Sequence, residues 1–308
     1  MKENEVSTQG RVMRDLIARF SSDNKIGRKL KSGELRKNMV EPQWKCPEHL
    51  SLTVIPMENF NMELLEGEQP HCEQIILQLH GGGYIGAMRN AYRSFAGLYN
   101  ELGKGISVLS VDYRVAPENP YPAALLDAIA SYDWLIEKGY QEENIIVAGD
   151  SAGGGLALGL CMWLKDNHRK LPGGIILMSP WTDLTASGAS YDDNYELDPL
   201  FGRTRDSLLY NKDYVGEQDP RLPYISPLFG SYQGFPPMLI QVGSYEMLLS
   251  DSVQVAQKAR EQGVKVRLSV YEGMFHIFQM AMLYMPESKK AWIEVGKFLQ
   301  FFQNKKEK

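Results

Sequence analysis

Apolar residues in this chain come in short unbroken runs, separated by stretches where they recur every three or four positions. The runs are "QIILQLH" (74–80), "ISVLSVDY" (106–113), "NIIVAG" (144–149), "GIILMSP" (174–180), "PMLIQVG" (237–243) and "KVRLSVYEG" (265–273). Their length and β-branched content suit strands. Helical spacing occupies "AYRSFAGLYNELG" (91–103), "AALLDAIASYDWLIEKG" (123–139), "AGGGLALGLCMWLKDNH" (152–168) and "DSVQVAQKAREQG" (251–263), three of which stop at a glycine. "SKKAWIEVGKFLQFFQNK" (288–305) predicts a closing helix. Strands that are apolar throughout, each followed by a helix, predict an α/β fold with a mostly parallel central sheet and helices on both faces.

Two segments break the alternation. One is the first 45 residues; the other spans 182–230 and is rich in Tyr, Asp and Pro. Long irregular segments in compact domains are often lids. The expected organisation is an N-terminal cap segment over 1–45 and a catalytic domain over 46–308, with a cap insertion around 185–230. Within the first segment, "VMRDLIARF" sets Val12 or Met13, Leu16, Ile17 and Phe20 on one helical face. That face is expected to pack over its own domain. Residues 1–40 hold ten Lys/Arg against five Asp/Glu, so a basic helix on a membrane surface is the competing account.

Composition narrows the function classes. At 308 residues the chain suits one large domain, and 44% hydrophobic with 23% charged residues is ordinary for a globular protein. A net charge of −5 argues against a nucleic-acid partner. No run approaches the length of a membrane span, and the early charges do not suit a signal peptide, so a cytoplasmic location is expected. Cys46, Cys72 and Cys161 are far apart and odd in number, which suits neither a disulfide framework nor a metal site.

The chemistry begins at "GDSAGG" (149–154), where a strand hands over to a helix. Ser151 stands in G-x-S-x-G. A tight strand-to-helix turn lifts such a serine above the sheet edge, and its flanking glycines avoid Cβ clashes there. A helix N-cap serine is the structural alternative. A second glycine cluster, His80-Gly81-Gly82-Gly83, follows the 74–80 strand. Its backbone N–H groups suit a developing oxyanion; Gly82 and Gly83 are the candidate donors, with the N–H of Ala152. Neither a G-x-G-x-x-G opening a helix nor a G-K-[ST] occurs, which argues against a phosphate loop. Of the five histidines, His276 follows the last strand, where a catalytic base falls in the order Ser…acid…His. A histidine packed among Met274, Phe275 and Phe278 is the bland account. For the acid, Glu246 lies three residues past its strand's final glycine, while Asp251 better suits a helix N-cap. Asp150, next to Ser151, is a candidate to line the substrate pocket.

Together the His80–Gly83 loop, "DYRVAPENPYPA" (112–123), "GDSAGG", "SPWTDLT" (179–185), "GSYE" and "FHIF" resemble the hormone-sensitive-lipase-like α/β-hydrolases, the bacterial family IV esterases, over about residues 75–280. The 30-residue separation of Glu246 and His276 resembles the family's spacing. The resemblance implies an α/β-hydrolase fold with a helical cap, no cofactor and no metal. It also implies structural roles for Asp112 and Arg114 beneath the glycine loop and a place for Tyr84 lining the substrate pocket, and it allows a homodimer through a sheet edge. The expected activity is serine carboxylesterase action on short- to medium-chain acyl esters. The alternatives are an acetyl esterase for decorated sugars or xylan and a non-catalytic ligand-binding receptor. The aromatics Tyr191, Tyr195, Phe201, Tyr210 and Tyr214 could stack on a sugar ring or close an acyl pocket, and cap core is the commoner role for such residues.

Overall fold

The computed structural model describes residues 6–24, 41–67, 73–202 and 211–303. The six expected strands are present as β3 (Ile75–Leu79), β4 (Ser107–Asp112), β5 (Ile145–Asp150), β6 (Gly174–Met178), β7 (Met238–Gly243) and β8 (Val266–Tyr271). All six pair in parallel. Ahead of them lie β1 (Leu50–Pro56) and β2 (Asn61–Gly67), an antiparallel hairpin whose β2 also pairs antiparallel with β4. The eight strands form one sheet in the order β1-β2-β4-β3-β5-β6-β7-β8. The hairpin was not expected from the sequence: β1 is half exposed and mixes polar with apolar positions, so it lacks the continuous apolar run of a central strand.

The central strands β3, β5, β6 and β7 are buried at every position. Pleating sends alternate side chains to opposite faces. Ile75, Leu77 and Leu79 of β3 pack with α3 (Ala123–Glu137), α4 (Ser151–Asp166) and α5 (Leu249–Glu261). Ile76 joins the other face, with Tyr92 and Phe95 of α2 (Asn90–Leu102) and Trp292 of α6 (Pro286–Gln303). Helices therefore cover both faces.

α1 (Thr8–Asn24) differs from expectation. Its start is bound to α6, where Ser7 donates to Glu287 from its N–H (2.6 Å) and its hydroxyl (2.8 Å). Gly10 rests against Met274 and Glu287, Arg14 lies over the Tyr245 ring, and Ile17 packs on the Met274–Phe278 cluster. Val12, Met13, Leu16 and Phe20 are 38–62% exposed. The inward face thus runs through Gly10, Arg14, Ile17 and Ser21, and only Ile17 of the apolar set turns in. A glycine admits the closest helix approach, and that sets the rotation.

The described part of 182–230 contains only short helical turns, at Ser190–Asp193, Lys212–Val215 and Pro227–Phe229. Side-chain-to-backbone hydrogen bonds hold this segment in place of long helices. Among the described residues no helix is long and apolar enough to cross a membrane.

Candidate active site

Parallel strands present their carboxyl ends along one sheet edge, where loops collect functional groups. Ser151 follows β5, Glu246 follows β7, His276 follows β8 and the glycine loop follows β3. Ser151 has φ +51°, in the left-handed region that non-glycine residues avoid. The turn around it is tight: a Cβ at Gly149 would lie 2.3 Å from the Gly153 carbonyl oxygen, and one at Gly153 would lie 2.1 Å from the Leu79 oxygen. Only hydrogen fits at either position.

The Ser151 Oγ lies 3.0 Å from Nε2 of His276. The histidine Nδ1 lies 2.9 Å from Oε2 of Glu246. With the proton on Nδ1, that ring nitrogen donates to the carboxylate and Nε2 accepts from the serine hydroxyl. Glu246 is wholly buried, and its Oε1 accepts from the Ser179 hydroxyl (2.7 Å) and the Gly243 N–H (2.5 Å). The chain Ser–His–Glu is continuous.

Asp251 plays a different part. It lies inside α5, where it was expected to cap the N-terminus; Leu248 occupies the cap instead. Its buried Oδ2 accepts from the N–H groups of Thr182 (2.6 Å) and Asp183 (2.8 Å), tying down the loop after β6. Burial and the nearby Asp183 lift its carboxyl to about 7.

In the glycine loop, Gly82 has φ +115° and Gly83 +63°. The turn's own hydrogen bonds run from Ile85 and Gly86 to the Gly82 oxygen, so the N–H groups of Gly82 and Gly83 stay outside them. Ala152 is the second residue of α4, at its positive end. Gly81 faces the other way: its N–H donates to the Tyr92 hydroxyl (2.9 Å) and to Asp150 Oδ1 (3.0 Å). His80 is buried, stacks on Tyr113 at 4.0 Å and has its titration lowered to about 4 by desolvation, so it is neutral. Its backbone oxygen accepts from the Tyr113 hydroxyl at 2.6 Å.

The two pocket candidates are turned on the protein. Asp150 is buried, accepting from Gly81 and from Tyr92 (3.1 Å), which braces the glycine loop against the serine's turn; desolvation lifts its carboxyl to about 7. Tyr84 is 1% exposed and stacks flat on Tyr214 at 3.8 Å. Asp112 accepts from the Met88 N–H (3.1 Å) just past the glycine loop, whereas Arg114 reaches away from it to grip Asp127 of α3. His71, Cys72 and Tyr210 lie outside the described residues.

Sequence reasoning missed three groups around Glu246. Ser179, at the end of β6, bridges Glu246 and the Ile277 N–H. Asn194 donates to the backbone oxygens of Ser244 and Glu246. Asp198 accepts from Met247 at 2.8 Å. For Ser179 a signal existed, since "SPW" directly follows a strand; the other two sit in a segment without periodicity.

A family model for the alpha/beta hydrolase fold matches residues 76–280. An esterase of Acinetobacter venetianus is 37% identical over 232 residues, covering 75% of this chain and 76% of the relative. An acetyl-hydrolase of Streptomyces hygroscopicus is 36% identical over 73% of this chain and 75% of its own length. Among solved structures, an esterase from the bacterial hormone-sensitive lipase family superposes with a TM-score of 0.77 at 30% identity, over 88% of this chain and 96% of that one. Family model, sequence relatives and superposed structure agree, and the chain belongs to the hormone-sensitive-lipase group of the α/β-hydrolase fold family.

Proposed function

We propose that this ester hydrolase works through an acyl-enzyme on Ser151. The carrying observation is the unbroken chain from Ser151 Oγ through His276 to Glu246, at 3.0 and 2.9 Å. The serine hydroxyl attacks the ester carbonyl while His276 Nε2 takes its proton. The carbonyl oxygen becomes an oxyanion, facing the N–H groups of Gly82, Gly83 and Ala152. The tetrahedral species collapses as the imidazolium gives its proton to the leaving alcohol. Water, deprotonated by the same imidazole, then attacks the acyl-serine and releases the acid. Glu246 holds the Nδ1–H tautomer and stabilises the imidazolium between the two transfers.

The substrate class is short- to medium-chain acyl esters. The name of one sequence relative, an acetyl-hydrolase, supports small acyl groups. Residues 1–45 and the insertion around 185–230 serve as the cap. The bonds from Asn194 and Asp198 to the Glu246 loop support that role for the insertion, and those from Ser7 and Arg14 support it for α1.

The test is hydrolysis of p-nitrophenyl acetate, butyrate and decanoate by the wild type, Ser151→Ala and His276→Ala. The expected result is wild-type turnover that favours the shorter chains, with both folded variants near background. Wild-type turnover that survives Ser151→Ala would overturn the acyl-enzyme, and an inert wild type would favour a ligand-binding role.

A further inference from the structure

The insertion carries five aromatic residues that were candidates for the substrate pocket, and the structure separates them. Tyr191 and Tyr214 are buried in the core, Tyr195 packs half-buried against it, and Tyr210 lies outside the described residues. Phe201 also packs against that core, but it alone of the described four touches the base. It is half-buried, and its ring meets the His276 imidazole edge-on, with centroids 4.8 Å apart at 61°.

The ring is held there by a built turn. Asp198, 4% exposed, accepts from the N–H groups of Leu200 (2.9 Å) and Phe201 (3.0 Å) through Oδ1. Its Oδ2 accepts from Met247, the neighbour of Glu246, at 2.8 Å. The turn closes with the Gly202 N–H on the Asp198 oxygen (2.9 Å), and a Cβ at Gly202 would lie 2.3 Å from that oxygen. One carboxylate therefore fixes both the ring on the base and the loop that carries the acid.

Acyl transfer gives that position a meaning. The nitrogen that accepts the serine proton later delivers it to the departing oxygen, so the alcohol of the ester must lie beside the imidazole. The oxyanion donors approach from the glycine loop and α4. A partly exposed ring against the imidazole is therefore placed to border the alcohol. We infer that Phe201, seated by Asp198, forms the wall of the leaving-alcohol subsite and favours esters of aryl or bulky apolar alcohols over those of small aliphatic ones. The inference rests on the acyl-enzyme reading above.

Two ester series test it. One keeps butyrate and varies the alcohol between phenyl and ethyl; the other keeps phenol and varies the acyl group from acetate to decanoate. Each variant is compared with wild type on the same ester, so intrinsic leaving-group reactivity cancels. An aromatic edge contact corresponds to about a two- to ten-fold preference. Phe201→Leu should lower the phenyl-to-ethyl ratio of kcat/KM about five-fold and leave the shape of the acyl series as it was. Asp198→Ala removes both acceptors, Oδ1 of the turn and Oδ2 on Met247, and so frees the ring; it should reproduce that change in ratio. Thermal midpoints check that both variants are folded.

An acyl series that changes shape while the alcohol ratio holds would overturn the inference and put Phe201 on the acyl side. A common fall for every ester would also overturn it, leaving Phe201 as mere packing on the base. Failure of the acyl-enzyme reading looks different: the wild type itself is then inert on both series, or remains active after Ser151→Ala.

Discussion

Ser179 and Glu246, 67 residues apart, meet in a 2.7 Å hydrogen bond in which the hydroxyl donates to the carboxylate, while the same hydroxyl accepts from the Ile277 N–H at 3.2 Å. Ser179 is fully buried and has φ +48°. It therefore links the acid to the residue after the histidine. Ser179→Ala should leave one oxygen of Glu246 with a single donor. A lost hydrogen bond to a charge, about 1.5 kcal/mol, corresponds to roughly a ten-fold fall in kcat. Steady-state kinetics should show that fall with KM changed less than kcat; an unchanged kcat would remove Ser179 from the positioning of the acid.

The glycine loop offers a contrast between neighbours. A Cβ at Gly83 finds nothing closer than 4.0 Å, so Gly83→Ala bears only the left-handed backbone, about 1–2 kcal/mol. At Gly82 a Cβ would press on the Gly86 oxygen at 3.0 Å, in a backbone conformation nearly reserved for glycine. Gly82→Ala should therefore reduce kcat/KM far more than Gly83→Ala, by about ten-fold or more between the two. Equal losses would mean that the loop does not depend on this geometry.

Arg114 grips Asp127 with Nε and Nη2, and its backbone N–H adds a third contact at 2.8 Å. The carboxylate is 2% exposed. A lysine cannot reproduce the fork, so Arg114→Lys should cost about 1–3 kcal/mol of stability, measurable by denaturant unfolding. A change within error would show that the planar fork is dispensable there.

Asp251 gives a pH-dependent prediction. Its folded-state value of about 7 lies above the ordinary carboxylate range, so the native protein keeps a proton that the unfolded chain releases. Stability associated with this group is present in acid and is lost as pH rises from about 4 to about 7. Asp251→Asn stays neutral throughout. Its Tm relative to wild type should thus rise between pH 5 and pH 8, and a pH-independent difference would contradict the raised value.

Much of this was legible in the sequence, for particular reasons. Ile75–Leu79 and Ile145–Asp150 are apolar throughout because helices bury both faces, so their parallel pairing could be read from the runs alone. Ser151 and His276 lie just past such runs, and the strand order brings those ends together. Glu246 could be preferred to Asp251 from its place just past the strand's last glycine and its 30-residue separation from His276, and it is Glu246 whose carboxylate lies on the histidine. The hairpin at Leu50–Gly67 and the supports from Asn194 and Asp198 left no periodic trace. Hairpin residues face solvent in part, and single side-chain bonds across some fifty positions obey no spacing rule. The face of α1 was misjudged because a glycine and two polar residues, Gly10, Arg14 and Ser21, lie inward.

The Ser7–Glu287 contact joins positions 280 residues apart. On a ribosome adding about 5–20 residues per second, α1 emerges roughly a quarter of a minute to a minute before the surface it lies on exists. Among the described helices, α1 is made before the one that anchors its start. Until synthesis has passed the start of α6, Ser7 has no Glu287 carboxylate to donate to, and the packing of α1 waits on the far end of the chain.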